Sequence, residues 1–252
     1  ILAETNSSIY NMKPRKASAL LVVLVILFCT RGDGQGISSK IKHKHPGDYN
    51  AALLDAIEKN DFEEVRKLHK LGADLNYADK SNHGAAVMHR AAASGTVEMI
   101  ELLHALGADI HARGDDKATP LHLAAFFGNV DAVEALVKLG ADIHAIEANG
   151  ATPMHFGALH SEHHTVAKLH ELGGDIHAKA HDGTTPFHAA TSQSSVDVMH
   201  KLHELGVDVN ARATDDLHAL HIADKHGNKK AKRKLEELGA ALDDNNEPAT
   251  DL

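Results

Sequence analysis

The sequence has almost no cysteine and few aromatic side chains. Cys29 is the one cysteine in 252 residues, tryptophan is absent, and aromatic residues make up 4%. A single cysteine excludes an intramolecular disulfide, so the fold has to be stabilised by packing. Apolar residues account for 43% of the chain, a normal share for a globular protein. The length suits one large domain.

An excess of basic residues is also missing, because the formal net charge is −9. Nucleic-acid binding needs a basic face, so we predict no nucleic-acid partner. The sequence contains no glycine-rich phosphate loop, and no serine, histidine and carboxylate combine outside the repeated pattern described below. We therefore predict no catalytic residues, no cofactor, no metal site and no enzymatic activity.

The N-terminal apolar run is too short to cross a bilayer. It covers residues 17–28, whereas a spanning helix needs about 20 apolar residues. The run follows Lys13, Arg15 and Lys16 and precedes small residues. This order predicts a secretory signal peptide over residues 12–32, starting at Met12, with residues 1–11 as translated leader. An uncleaved membrane anchor is the alternative, and a membrane would be a partner only in that case.

Two further segments lie outside the repeated pattern and have the composition of irregular chain. Residues 33–47 are rich in Gly, Ser, Lys and His and are predicted to form a flexible linker. Residues 243–252 are acidic and are predicted to be disordered. The remaining residues, 48–242, contain the repeated pattern.

That pattern has a period of 33 residues. A motif of the type Thr-Pro-Leu-His recurs, and a Leu-Gly-Ala-Asp motif follows it in most units. A fixed period of this length indicates a solenoid, in which each unit packs only on its neighbours. The motif histidines are His89, His122, His155, His188 and His221.

The repeated unit closely resembles the ankyrin repeat. The resemblance implies an all-α repeat solenoid of stacked helix–turn–helix units with projecting β-hairpin loops. We divide residues 48–242 into six units, the outer two acting as caps: 48–82, 83–116, 117–149, 150–182, 183–215 and 216–242. Thr119, Thr152 and Thr185 then stand at helix N-caps. The prolines that follow them stand at the first helical position.

Histidine is unusually frequent, with 22 residues, and twelve of them fall in three columns along the repeats. The motif histidines form the first column, and the resemblance gives them hydrogen bonds between adjacent loops. The second column is His69, His104, His170 and His203, and the third is His111, His144 and His177.

The second and third columns are not required by the family. If their side chains are partly buried and neutral, acid will destabilise the stack. Metal binding by a column is disfavoured, because equivalent residues of packed helices lie about 8–10 Å apart. The local set His160, His163 and His164 is spaced better for a metal.

The resemblance places partner binding on the concave side, which the hairpin loops and first helices form. Phe126, Phe127 and Leu159 are predicted to be an apolar centre, with at least one phenylalanine exposed. The predicted polar positions around it are His160, Ser192, Gln193, Asp115, Asp116, Asn149, His181 and Asp182.

We therefore predict a non-enzymatic module that binds a protein partner and is delivered to the secretory pathway. Two alternatives come from other classes. One is a histidine-rich luminal protein that binds metal or responds to pH. The other is a membrane-anchored, cytosolic or nuclear scaffold.

Overall fold

The computed structural model describes residues 46–94, 96–159 and 163–241. The predicted leader and signal peptide, most of the predicted linker and the acidic segment 243–252 lie outside these residues, as does His160. Twelve α-helices occupy the described part of the chain. Their bounds are α1 Pro46–Glu58, α2 Phe62–Lys70, α3 Val87–Ser94, α4 Val97–Ala105, α5 Pro120–Phe126, α6 Val130–Lys138, α7 Pro153–Leu159, α8 His164–Glu171, α9 Pro186–Ser192, α10 Val196–Glu204, α11 Ala219–Lys225 and α12 Lys229–Glu237.

The helices are stacked as pairs in six units. The odd-numbered first helices α1 to α11 each pack on the first helix of the next unit, and the second helices α4 to α12 form a parallel row of their own. Within a unit the two helices also contact each other. The predicted all-α repeat solenoid is confirmed.

The core runs through the stack as rows of equivalent side chains. One leucine from each second helix is fully buried: Leu68, Leu103, Leu136, Leu169, Leu202 and Leu235. Leu121, Met154 and Phe187 fill the matching position of the first helices and are also buried. No unit could bury these side chains alone, so stability depends on neighbouring interfaces.

The projecting loops are present but contain no strand in the described residues beyond one isolated bridge, between Asp79 and Ala85. In later units one main-chain hydrogen bond of 2.9–3.0 Å joins the two arms of each loop, and a second lies within the turn. The arms of each hairpin are therefore too short to form a ladder of their own. These bonds join Gly114 to Ala118, Glu147 to Ala151, Ala180 to Thr184, and Ala213 to Leu217.

One boundary differs from the sequence prediction. Helix α1 begins at Pro46, two residues inside the predicted linker. Gly47 and the proline gave this segment the composition of a linker, but proline is well suited to the first turn of a helix. The loop between the first two units holds a 3₁₀ turn over Lys80–Asn82, where the period is two residues longer.

None of the described helices combines the length and the apolar character that crossing a membrane requires.

Candidate functional site

The main chain joins the projecting loops of successive units edge to edge. An N–H group of each loop donates to a carbonyl oxygen of the loop before it, over 2.7–3.0 Å. Five loops are tied together in this way, so the predicted partner surface has a continuous main-chain support. The donor and acceptor pairs are Asp115 to His83, Ala148 to Asp116, His181 to Asn149, and Thr214 to Asp182.

The predicted acidic side chains of the loops also shape the turns. Asp116 Oδ1 accepts the N–H of Ala118 at 2.9 Å. Asp182 Oδ1 accepts the N–H of Thr184 at 3.0 Å and its hydroxyl at 2.6 Å. These carboxylates therefore hold their own loops, and a partner would meet them in fixed orientations.

In the loop between those of Asp116 and Asp182, the accepting carboxylate belongs to a residue that was not among the predicted positions. Asn149 stands at the position of Asp116 and Asp182, and an amide cannot accept as strongly as a carboxylate. Glu147, two residues earlier, replaces it: its carboxylate accepts the N–H groups of Asn149 at 2.8 Å and Ala151 at 3.1 Å. Glu147 is 2% exposed. The absence of an aspartate at position 149 was the sequence signal that could have indicated another hydrogen-bond acceptor in this loop.

The predicted apolar centre lies at the far ends of the first helices. Phe126 is the last residue of α5, Phe127 is its C-cap, and Leu159 is the last residue of α7. The phenylalanine rings meet edge to face with centroids 5.2 Å apart. Phe126 also lies 6.4 Å from the ring of buried Phe156 in the next unit.

The prediction that one of the two phenylalanines is exposed is wrong. Both rings are half-buried, as is Leu159. The two rings cover part of each other, and Phe156 covers part of Phe126. The sequence of one unit alone does not indicate this burial, because Phe156 belongs to the next unit. Partly exposed apolar side chains remain at the ends of two adjacent first helices, Phe126 and Phe127 on one and Leu159 on the other.

The loops and the apolar patch lie at opposite ends of the first helices. Asp115, Asp116 and Asp182 precede these helices, and the phenylalanines end one. A seven-residue helix is about 10 Å long, so the structure does not bring the acidic and apolar groups into contact. Of the other predicted positions, Gln193 and His181 are exposed, and half-buried Ser192 donates its hydroxyl to the Ala189 carbonyl at 2.8 Å.

Four motif histidines, His89, His122, His155 and His188, each connect a first helix to the following loop. In the third unit, the Thr119 N–H donates to His122 Nδ1 at 3.1 Å, and His122 Nε2 lies 3.1 Å from the Ala151 carbonyl oxygen. An amide N–H can only donate and a carbonyl can only accept. The imidazole is therefore neutral with its proton on Nε2. Thr119 and His122 form a reciprocal capping box, and Thr185 and His188 form another.

Burial keeps this column uncharged. Desolvation lowers the pKa of His122 to about 3 and that of His188 to about 4. Burial also lowers the pKa values of His89, His155 and His221. Protonation of Nδ1 would add a second cost, because the N–H that points at it could no longer donate.

With the exception of His69, the histidines of the other two columns are not buried, which was the condition for an acid response. His69 is half-buried, and His104, His170, His203, His111, His144 and His177 are exposed. Acid sensitivity therefore belongs to the first column, where the sequence analysis assigned only structure. Within residues 46–94, 96–159 and 163–241, no three side chains of His, Cys, Asp or Glu are grouped to hold a metal ion.

Comparison with known proteins agrees with this geometry. A family model of ankyrin repeats in three copies matches residues 53–147 and 89–180, and a single ankyrin-repeat model matches residues 182–214. Together these matches cover more than half of the chain. The chain belongs to the ankyrin-repeat family. Ankyrin repeats form protein-interaction modules, and domains of this kind are typically non-catalytic.

One curated ankyrin-region relative is a mouse (Mus musculus) protein, the 2-5A-dependent ribonuclease. It is 37% identical over 71 residues, which are 28% of this chain and 10% of the relative. The ankyrin-repeat chain thus spans a small part of that protein, and the likeness lies within the repeats.

Proposed function

We propose that this ankyrin-repeat protein is a non-enzymatic binding module whose partner docks on the apolar patch of Phe126, Phe127 and Leu159. The observation that supports this most is the position of these half-buried side chains at the ends of adjacent first helices, where Phe126 is held against Phe156 of the next unit. Aromatic side chains held by their neighbours make good anchors for a partner, because little conformational entropy is lost on binding.

The loops complete the proposed surface. Asp115 and Asp182 are exposed carboxylates of the loops, and His181 is exposed beside Asp182. The main-chain hydrogen bonds between successive loops hold these groups at fixed spacing. A partner with an apolar segment flanked by basic or polar residues would match both ends of the first helices, and the charges would mainly raise its association rate.

Photo-cross-linking tests the surface directly. A photoreactive amino acid at position 127 should capture the partner, whereas the same group at Ile146, which is 46% exposed on a loop, serves as the matched control. With the partner in hand, Phe127→Ser should weaken binding by at least about 2 kcal/mol, the usual threshold of an interface hot spot. A folded Phe127→Ser variant that binds at full strength would remove this patch from the interface.

We propose in addition that the module is delivered to the secretory pathway. The basic residues 13–16 and the apolar run 17–28 support this, since their lengths fit a signal peptide rather than a spanning helix. Expression of the full chain with a C-terminal fluorescent tag should yield protein that lacks its first residues, in the lumen or medium. Intact protein in a membrane fraction would favour an anchor, and intact cytosolic protein would favour a scaffold.

A further inference from the structure

One asparagine of the sequence stands directly before a glycine, in the pair Asn149-Gly150. The side-chain amide of an asparagine in this order can be attacked by the main-chain nitrogen of the next residue, and glycine allows the approach because it has no side chain. The pair lies in the projecting loop before α7, where Gly150 has a φ of 82°. Asn149 is half-buried, so water reaches part of its side chain.

Glu147 holds both groups that would react. The Nδ2 group of Asn149, which would leave, donates to Glu147 Oε2 at 3.0 Å. The main-chain N–H of Gly150, which would attack, donates to the carbonyl oxygen of Glu147 at 3.0 Å. The Asn149 N–H also donates to the Glu147 carboxylate, at 2.8 Å. Hydrogen bonds to a carboxylate are strong, so the loop must open before the two groups can meet.

The next loop lacks this restraint. It has Ala180 in the position of Glu147 and Asp182 in the position of Asn149. Each of the two loops thus has one carboxylate at these positions, and an aspartate at position 149 would add a second to the loop of Glu147. The new oxygen would replace the Nδ2 group that lies 3.0 Å from Glu147 Oε2. Like charges at this distance repel, and Glu147 is 2% exposed.

We propose that Asn149-Gly150 is a site of spontaneous deamidation that Glu147 restrains in the folded chain. The Gly150 nitrogen bonds to Asn149 Cγ, the bond from Cγ to Nδ2 breaks, and ammonia leaves with the proton of the attacking N–H. Water then opens the five-membered imide. Attack at Cγ gives aspartate, and attack at the main-chain carbonyl carbon gives isoaspartate. Water is the one reactant that comes from outside the chain.

Both products disturb the support of the loops. The Asn149 carbonyl oxygen accepts the N–H of His181 in the next loop at 2.8 Å. Isoaspartate carries the main chain through the side-chain carbon, which displaces this carbonyl from the His181 N–H. Aspartate keeps the main chain but puts its carboxylate against that of Glu147. The modification therefore adds negative charge to the loops and loosens the connection between two of them, whatever partner they bind.

Peptide mapping by mass spectrometry follows the reaction in the full-length chain at neutral pH. Asn149 should deamidate at least about tenfold more slowly in the folded chain than in urea, because the loop must open first. Glu147→Ala should deamidate about tenfold faster than the folded parent, the factor expected when one hydrogen bond to a charge is lost. Asn129, which precedes Val130, is the internal reference and should keep its amide in every sample.

The next loop offers a matched test within one chain. Asp182→Asn places an asparagine before Gly183, in the equivalent turn but with Ala180 in the position of Glu147. Position 182 of this variant should deamidate about tenfold faster than position 149, because the carboxylate that holds the leaving amide is missing there. Equal rates at the two positions would overturn the restraint by Glu147. An intact Asn149 in the folded Glu147→Ala variant would overturn the site itself.

Thermal unfolding tests the effect of the aspartate product. Asn149→Asp should lower the midpoint, because two carboxylates then share one loop. Adding Glu147→Ala should restore it, since the double variant has the residue pair of Ala180 and Asp182 in the next loop. An unchanged midpoint in Asn149→Asp would overturn the effect assigned to this product.

Discussion

His122 and His144 have the same side chain in one unit of the stack, yet their surroundings differ completely. His122 is fully buried and holds two main-chain groups through its ring nitrogens. His144 is exposed, and the hydrogen bond at that residue is made by its main-chain N–H to Asp142. The comparison shows that histidine frequency alone says little about this protein, because it does not distinguish a buried histidine, whose pKa burial lowers, from an exposed one.

The largest expected effect is acid destabilisation through the buried column. Burial holds the pKa of His122 near 3 and that of His188 near 4, below the unfolded value of about 6.5. The unfolded chain therefore binds protons first, so stability is complete above pH 6.5 and falls as the pH drops towards these folded values. Each such histidine should cost about 1.4 kcal/mol per pH unit in that window.

Urea unfolding between pH 7.5 and 5 measures this effect. The exposed pair His144→Asn and His177→Asn is the control and should leave the profile unchanged. A free energy of unfolding that does not change over this range would show that the motif column is not buried as the structure has it.

Substitution of single histidines should give the next largest difference. His155→Ala leaves the Thr152 N–H without its partner, removes one of the two hydrogen bonds to the Thr184 carbonyl and opens a cavity. We expect a loss of about 2–4 kcal/mol. His144→Ala, on the exposed column, should change stability by less than about 0.5 kcal/mol. If urea unfolding at pH 7.5 gave equal effects for the two substitutions, the predicted difference between the buried and exposed columns would be wrong.

Thr165 sharpens the comparison, because it is buried and polar but lacks the contacts of the motif histidines. It is 1% exposed, and its hydroxyl has no hydrogen-bond partner within the described part of the chain. Thr165→Val should raise the free energy of unfolding by about 1 kcal/mol, since it removes an unpaired polar group at equal volume. The same change at Thr191, whose hydroxyl donates to Phe187 at 2.9 Å, should destabilise instead. A destabilised Thr165→Val variant would mean that the hydroxyl is paired.

The smallest effect concerns main-chain conformation at a loop tip. Lys117 has a φ of 64°, where the equivalent residues of the next two loops are Gly150 and Gly183. A left-handed conformation costs a non-glycine residue about 1–2 kcal/mol, and glycine recovers part of this despite its entropy. Lys117→Gly should stabilise by about 0.5 kcal/mol, visible as a small rise in the thermal midpoint. A lower midpoint would show that the lysine side chain makes a contact that outweighs the strain.

The helices and most of the core were predictable because the period repeats them. Pro120, Pro153 and Pro186 begin helices as predicted, and Leu121 is buried. Contacts between units were harder to predict, since they join residues about 33 positions apart. The covering of Phe126 by Phe156 and the replacement of a loop aspartate by Glu147 depend on how two units meet. Burial of the motif histidines, rather than of the outer columns, follows from the same packing.

The bonds of the motif histidines also determine how the gene for such a chain can change length. Each bond reaches 29 residues ahead, which is less than one period. If one whole period, residues 130–162, were deleted, Thr184 would stand 29 positions after His122, as Ala151 does now. A deletion of 30 residues would leave the bond without its acceptor. Recombination in steps of one period can therefore shorten or lengthen the stack without any compensating substitution.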